Sequence, residues 1–188
     1  ENPTHIFLQA GVGSMAGAIT GLFSSLYGAE KPTIVIVEPN AADCLFRTAR
    51  AHDGKLHPVT GSMRTIMAGL ACGEPCSIGW QVLKDYADFF ISCPDYAAAQ
   101  GMRILGNPAG QDQRVVSGES GAAAFGAVSE ILRDPTLRSL KEASAGPGFS
   151  APVLQYGRGD GPGKLSTHRL GWNLSKKIIP INYRRKIK

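Results

Sequence analysis

The sequence predicts an α/β fold, a parallel sheet flanked by helices on both faces. Three observations predict it. Short apolar runs alternate with segments of helical spacing along the chain. The runs are apolar throughout rather than at every second residue, as expected of strands buried on two sides. The 188 residues are 43% hydrophobic and 19% charged, which suits a chain that buries a core as one domain or one and a fraction.

The elements follow in order. His5-Ile-Phe-Leu-Gln9 is a buried strand, followed by the glycine-rich run Ala10-Gly-Val-Gly-Ser-Met-Ala-Gly17 and a helix over Ala18–Tyr27. Thr33-Ile-Val-Ile-Val37 is a β-branched strand ended by Glu38-Pro39, and Asn40 is expected to cap a helix to about Arg50. Residues 51–79 are rich in Gly, Pro and Thr, with a short helix expected near Ser62–Leu70. Ile78–Tyr86 reads as helix and Phe89-Phe-Ile-Ser92 as strand. Asp95 is expected to cap a helix to about Leu105, and Ser117–Phe125 opens a last helix to Arg133. No internal repeat is visible.

Charge is unevenly placed. Residues 1–155 hold 11 Lys and Arg against 14 Asp and Glu, whereas residues 156–188 hold 9 against one, Asp160. The basic balance therefore belongs to the end of the chain, where Gly157, Gly159, Gly161 and Gly163 alternate. A basic tail can hold phosphate backbones. A solvated or non-native end is the preferred reading, and no nucleic-acid partner is expected. No apolar stretch reaches the length of a membrane span, so none is expected. The chain opens on Glu1 with no visible signal peptide, and an N-terminal portion is expected to precede it.

Gly11-x-Gly13-x-x-Ala16-Gly17 between a strand and a helix is a phosphate-binding arrangement. Glycine lets the backbone approach an anion, and the free N–H groups of the first helical turn point at it. Ser14 can add a hydroxyl. An ordinary tight β–α turn would look the same. One specific reading is a Rossmann-type dinucleotide-binding domain of an oxidoreductase, in which Glu38 at the end of the next strand would hold a ribose hydroxyl.

Four segments carry a resemblance. Gln9-Ala-Gly-Val-Gly-Ser-Met-Ala-Gly17, Val37-Glu-Pro-Asn-Ala-Ala-Asp-Cys44, Thr65-Ile-Met-Ala-Gly-Leu-Ala-Cys-Gly-Glu-Pro-Cys76 and Ser117-Gly-Glu-Ser-Gly-Ala-Ala-Ala124 together resemble the diaminopropionate ammonia-lyases. These are fold-type II pyridoxal-phosphate enzymes, alongside the threonine and serine dehydratases and the tryptophan synthase β-subunit. The resemblance covers residues 1–154 as the C-terminal portion of the catalytic fold. It implies pyridoxal 5′-phosphate as cofactor, with Gly11, Val12, Gly13, Ser14 and Met15 around its phosphate. Ser117, Gly118, Glu119 and Ser120 would lie close to its ring. Aligned on Ser120-Gly121-Ala122, the glutamate of the related dehydratases falls on Gly118, one place before Glu119.

The implied reaction is α,β-elimination on 2,3-diaminopropionate to pyruvate and ammonia, by a cytoplasmic homodimer. The lysine that carries the cofactor and moves the α-proton lies, in the family, in an N-terminal half this chain lacks. No lysine here sits in a matching motif, so no catalytic residue is assigned and the chain alone is expected to be inactive.

Other groups are read more plainly. Cys44, Cys72, Cys76 and Cys93 lack paired C-x₂-C spacing, so free thiols are expected rather than zinc. The resemblance leaves open a disulfide from Cys44 to Cys72 or Cys76. His52 and His57 are expected to be a solvated pair, and no metal site is assigned. Arg158-Gly159-Asp160 is a three-residue match of the kind chance supplies. The family ends on a strand followed by a Ser/Thr-Thr-Glu-Gly-x-Thr-Asp-Pro-x-x-Tyr pattern. Here Val153-Leu154 starts that strand and Gln155-Tyr-Gly-Arg-Gly-Asp160 replaces the pattern. Back-translated one base out of phase, residues 155–172 permit the family ending almost throughout. Residues 155–188 are therefore expected to be a frameshifted, poorly packed tail.

Overall fold

The computed structural model describes residues 3–133 and, as backbone only, three short strands over 153–155, 166–168 and 177–180. The elements run β1 (His5–Gln9), α1 (Ser14–Tyr27), β2 (Thr33–Pro39), α2 (Cys44–Ala51), α3 (Ser77–Tyr86), β3 (Phe89–Cys93), α4 (Asp95–Gly106), α5 (Glu119–Arg133), β4 (Val153–Gln155), β5 (Ser166–His168) and β6 (Lys177–Pro180). The main sheet has the order β1-β2-β3-β6, and every pairing in it is parallel. Gln9 lies beside Val37, and Pro39 beside Cys93, so the strands end together at one edge.

Alternation along the strands builds two cores. Phe7, Val35, Val37, Phe89, Ile91 and Cys93 face α4, α5 and the Met67–Leu70 turn. Leu8, Ile34, Ile36 and Phe90 face α1, α2 and α3 through Ala16, Leu45, Phe46 and Leu83. Both faces of the sheet are thus covered, which is why the central strand residues are apolar on both rows. Asp88 fixes the start of β2: its carboxylate accepts from the Ile34 amide at 2.8 Å and from Lys31 Nζ at 2.6 Å.

Several boundaries differ from the sequence expectation, each for a local reason. Helix α1 starts at Ser14, not Ala18, because Gly13 turns the chain at φ +93° and Gly17 N–H already reaches the Gly13 carbonyl at 2.8 Å. Asn40 does not cap α2; its amide donates to Cys93 O at 2.8 Å and so extends the sheet, and Asp43 takes the cap position. Pro94 precedes α4, which leaves Asp95 in the first turn, where its carboxylate accepts from Thr65 Oγ1 and the Ile66 amide. Over residues 62–70 only a 3₁₀ turn at Ala68–Leu70 forms.

β4 lies where the sequence places a strand and pairs antiparallel with β5. The backbone of Lys177–Pro180, within the segment expected to be poorly packed, runs parallel to β3 as β6. Its β-branched pair, Ile178-Ile179, is the feature of that segment suited to a strand. Side-chain packing after residue 133, Arg158-Gly159-Asp160 and the rest of the tail lie outside the described residues.

Helices α4 and α5 cross at glycine. A Cβ on Gly126 would overlap the Ala97 carbonyl oxygen, and one on Gly101 would overlap that of Ala122. Gly126→Ala should lower the unfolding free energy by about 2 kcal/mol net, since overpacking outweighs the ~1 kcal/mol helix-propensity gain of alanine. Urea denaturation followed by circular dichroism measures it; an unchanged midpoint would mean that the helices separate without cost.

Candidate functional site

The candidate site lies at the carboxyl end of β1, the usual place for a ligand in a parallel α/β sheet, where the loop into α1, the segment over residues 65–76 and the start of α5 meet. Residues Gly11–Met15 supply its first wall. Gly13 takes a left-handed conformation at φ +93°, and a Cβ there would lie 2.9 Å from Leu45 Cδ1. Helix α1 therefore begins abruptly, with no side chain capping it and no acidic residue in its first turn. Its leading amides and positive dipole end are left for an acceptor from outside the chain. Ser14 and Met15 are exposed at this end, and Val12 is half-buried.

The Thr65–Cys76 segment lies against that wall. A Cβ on Gly11 would lie 3.2 Å from Cys72 Sγ and 3.5 Å from Gly69 O. Gly69 in turn donates its amide to Ser120 Oγ at 3.1 Å. Gly11, Gly69 and Ser120 form one rim, and through it the structure brings the Gly11–Met15 and Ser117–Ser120 groups to the same site. Ser117 Oγ donates to Gly118 O at 3.2 Å. Gly118 and Glu119 are exposed, with Glu119 in the first turn of α5.

Helix α3 closes the loop from behind. Cys76 N–H donates to Val12 O at 2.8 Å, and a Cβ on Gly79 would lie 2.7 Å from Gly13 O. Cys76 Sγ caps α3 by accepting from the Gly79 amide at 3.5 Å. The Ser14 hydroxyl, and then the Gly79 amide, hold the Cys76 thiol below the usual cysteine range. Sequence reading sought Ser, Thr, Asp or Asn at such positions and so missed Cys76 as a cap.

Glu38 is fully buried beneath the site and does not face a ligand. Its carboxyl accepts from the amides of Leu45 at 2.9 Å and Phe46 at 2.7 Å, capping α2 from the neighbouring strand. That use removes the acid on which the dinucleotide reading rests. Burial outweighs those two bonds and raises its pKa well above the ordinary value. Asp43, at the position that would normally cap α2, accepts instead from Ser92 Oγ at 2.8 Å and Arg47 Nε at 2.7 Å.

All four cysteines are free thiols in this structure. Burial, with Glu38 beside it, pushes the Cys44 thiol up to about 12. Burial followed by Asp95 and Glu38 does the same to Cys93, also to about 12. His57 Nε2 lies 3.0 Å from Asp53 on the surface, apart from the site. Among the described residues no cluster of three potential metal ligands occurs, and no helix is long and apolar enough to cross a membrane.

Comparison with known proteins supplies the family context. A family model described as pyridoxal-phosphate dependent enzyme matches residues 1–142. The diaminopropionate ammonia-lyase of Escherichia coli (strain K12) is 49% identical over 143 residues, which are 76% of this chain and 35% of that protein. A crystal structure of the holo enzyme from Escherichia coli matches with a TM-score of 0.67 and 45% identity, over 77% of this chain and 35% of that one. The serine racemase of maize matches in fold, with a TM-score of 0.60 and 20% identity over 72% of this chain and 40% of that one. The chain thus spans about a third of the length of the curated relatives it matches.

The buried Glu38 carboxyl generates a pH prediction. Its pKa is higher in the folded chain than in the unfolded one. Its contribution to stability is therefore full below the ordinary carboxyl value of 4.5 and is lost as pH rises through the raised folded value. Glu38→Gln removes that titration. The stability of the parent relative to the variant should fall steadily as pH is raised from 4.5 into the neutral range, as read by urea unfolding at each pH. A difference independent of pH would show Glu38 to be as ionised in the fold as outside it.

Proposed function

The chain belongs to the pyridoxal-phosphate dependent enzymes, and from that premise we propose that it is the C-terminal portion of a diaminopropionate ammonia-lyase. The whole enzyme would convert 2,3-diaminopropionate to pyruvate and ammonia as a cytoplasmic homodimer. The observation that carries this reading is the open start of α1. An uncapped helix end, without an acidic residue in its first turn, follows a glycine turn at the carboxyl edge of the sheet. This arrangement fits a phosphate group, whose charge the helix end favours, and the missing Cβ atoms of Gly11 and Gly13 let the loop pack tightly on Cys72, Gly69, Leu45 and Leu83 while its backbone faces the mouth.

In this reading Gly11, Val12, Gly13, Ser14 and Met15 hold the phosphate of pyridoxal 5′-phosphate. Ser117, Gly118, Glu119 and Ser120 border its ring, with Ser120 tied to Gly69 and so to the loop. When bound, the cofactor supplies the electron sink for the elimination. The residues of this chain bind and orient; none is assigned to move the proton. Residues 1–154 are read as the catalytic-fold portion and 155–188 as translated out of frame. Resequencing the coding DNA around codon 155 decides that point, and an unaltered frame in independent isolates would refute it.

Equilibrium dialysis of the purified chain against pyridoxal phosphate tests the binding claim. Gly13→Asp should weaken binding by about 100-fold, because a side chain at this positive φ is driven onto Leu45 and Leu83 and displaces the start of α1. The exposed Ser14→Ala variant, which leaves the backbone unstrained, should cost about fivefold. Borohydride should fix no cofactor to any lysine of this chain, and no pyruvate should form from diaminopropionate. Covalent attachment to one lysine in stoichiometric yield would overturn the assignment of the catalytic lysine to another part of the enzyme.

A further inference from the structure

Residues 65–76 run between the glycine loop and the start of α5, with the 3₁₀ turn at Ala68–Leu70 as their one regular element. Such a stretch is placed by what it is tied to. Met67 and Leu70 are buried in the core on the α4–α5 side of the sheet. Between them Gly69 is exposed and makes the contacts of the rim. Its amide donates to Ser120 Oγ at 3.1 Å, and its carbonyl oxygen would lie 3.5 Å from a Cβ on Gly11. The stretch therefore joins the Gly11–Met15 group to the Ser117–Ser120 group. Its entry is held by one carboxylate. Asp95, in the first turn of α4, accepts from Thr65 Oγ1 with one oxygen and from the Ile66 amide at 3.2 Å with the other. Thr65 Oγ1 accepts in turn from the Met67 amide at 3.1 Å, so the hydroxyl both donates and accepts and its direction is fixed.

We propose that Asp95 is a positioning residue for the candidate site: through Thr65 and Ile66 it sets the segment over residues 65–70 so that Gly69 keeps Ser120 in register with the glycine loop. The proposal rests on the reading of Gly11–Met15 as a phosphate cradle and of Ser117–Ser120 as the border of the ring, and deepens it. Asp95 follows Pro94 at the end of β3, so its carboxylate refers the segment to the carboxyl edge of the sheet. The positive end of α4 favours a carboxylate there. The physical consequence is a difference between ligands. A ligand seated on the loop alone does not sense the spacing between the two groups. A ligand that spans both does, and gains from having that spacing set in advance. Loss of the tie therefore costs a phosphorylated ring compound more than a bare phosphate.

Equilibrium dialysis of the purified chain against pyridoxal phosphate, with calorimetric titration by inorganic phosphate in parallel, reads that difference. Asp95→Ala should weaken pyridoxal phosphate about tenfold and inorganic phosphate by less than about twofold. Thr65→Val deletes the hydroxyl and keeps the side-chain shape; it should weaken pyridoxal phosphate about fivefold and again spare inorganic phosphate. Thr65→Ser keeps the hydroxyl and should bind both ligands as the parent does. The two losses act through one tie, so the double variant should bind pyridoxal phosphate within about twofold of Asp95→Ala alone.

Thermal unfolding of each variant separates positioning from mere support of the fold. Equal loss of both ligands together with a lowered melting temperature makes Asp95 a stabiliser of the chain, and the proposal fails. Unchanged affinity for both ligands also overturns it and spares the cradle. A parent chain that binds inorganic phosphate but no pyridoxal phosphate overturns the ring border and the proposal with it; a parent that binds neither overturns the cradle as well. Should Asp95→Ala fail to fold, the contrast between Thr65→Val and Thr65→Ser decides the matter alone.

Discussion

Three glycines set how near α3 can come to the turn after β1. A Cβ on Gly17 would stand 2.8 Å from Gly79 Cα, and one on Gly79 would stand 2.7 Å from Gly13 O. Backbone therefore packs on backbone, and no side chain intervenes. This contact is the reason α1 can start as early as Ser14 and leave its first amides open toward the strand ends. It also places Cys76 against Val12, so the loop is held from the rear by α3 and from the side by Cys72 and Gly69. Larger residues at any of the three positions would push α3 outward and tilt the start of α1 with it.

A second constraint is electrostatic. α2 takes no cap from its own sequence; Asp43 is engaged by Ser92 and Arg47, and the amides of Leu45 and Phe46 go to Glu38 on β2. A carboxyl on the sheet thereby orients a helix and ties the start of α2 to the end of β2. Cys44 joins this group, with its thiol 3.7 Å from both Glu38 Oε1 and Gly11 O. The floor of the glycine loop is thus polar, buried and internally satisfied, while its mouth is open. Such a division suits a site that must hold an anion without admitting water from below.

The fold was legible because its strands announce themselves. Thr33–Val37 and Phe89–Ser92 are apolar almost without a break, and only a sheet covered on both faces needs that. The glycine loop and the Ser117–Ala124 motif were equally plain, since their residue types serve backbone geometry. What could not be read was the use of side chains across the chain. Glu38 looks like a ribose ligand until the amides of Leu45 and Phe46 are seen above it. Asn40 looks like a helix cap, yet its amide belongs to Cys93. Asp95 likewise reads as a cap, although tertiary contacts to Thr65 and Ile66 claim its carboxylate. In each case a long-range partner, invisible in local pattern, outcompeted the local one.

β1 stands at the margin of the sheet and pairs, among the described residues, with β2 alone. Its outer row of amides and carbonyls faces away from that partner, and Ile6 and Phe7 are only half-buried. No proline or inward charge interrupts the strand between His5 and Gln9. An unguarded margin of this kind templates another strand, whether from a neighbouring segment of a longer polypeptide or from a second molecule in concentrated solution. The margin opposite β6 is thus a place where backbone, rather than side-chain chemistry, offers itself to another strand.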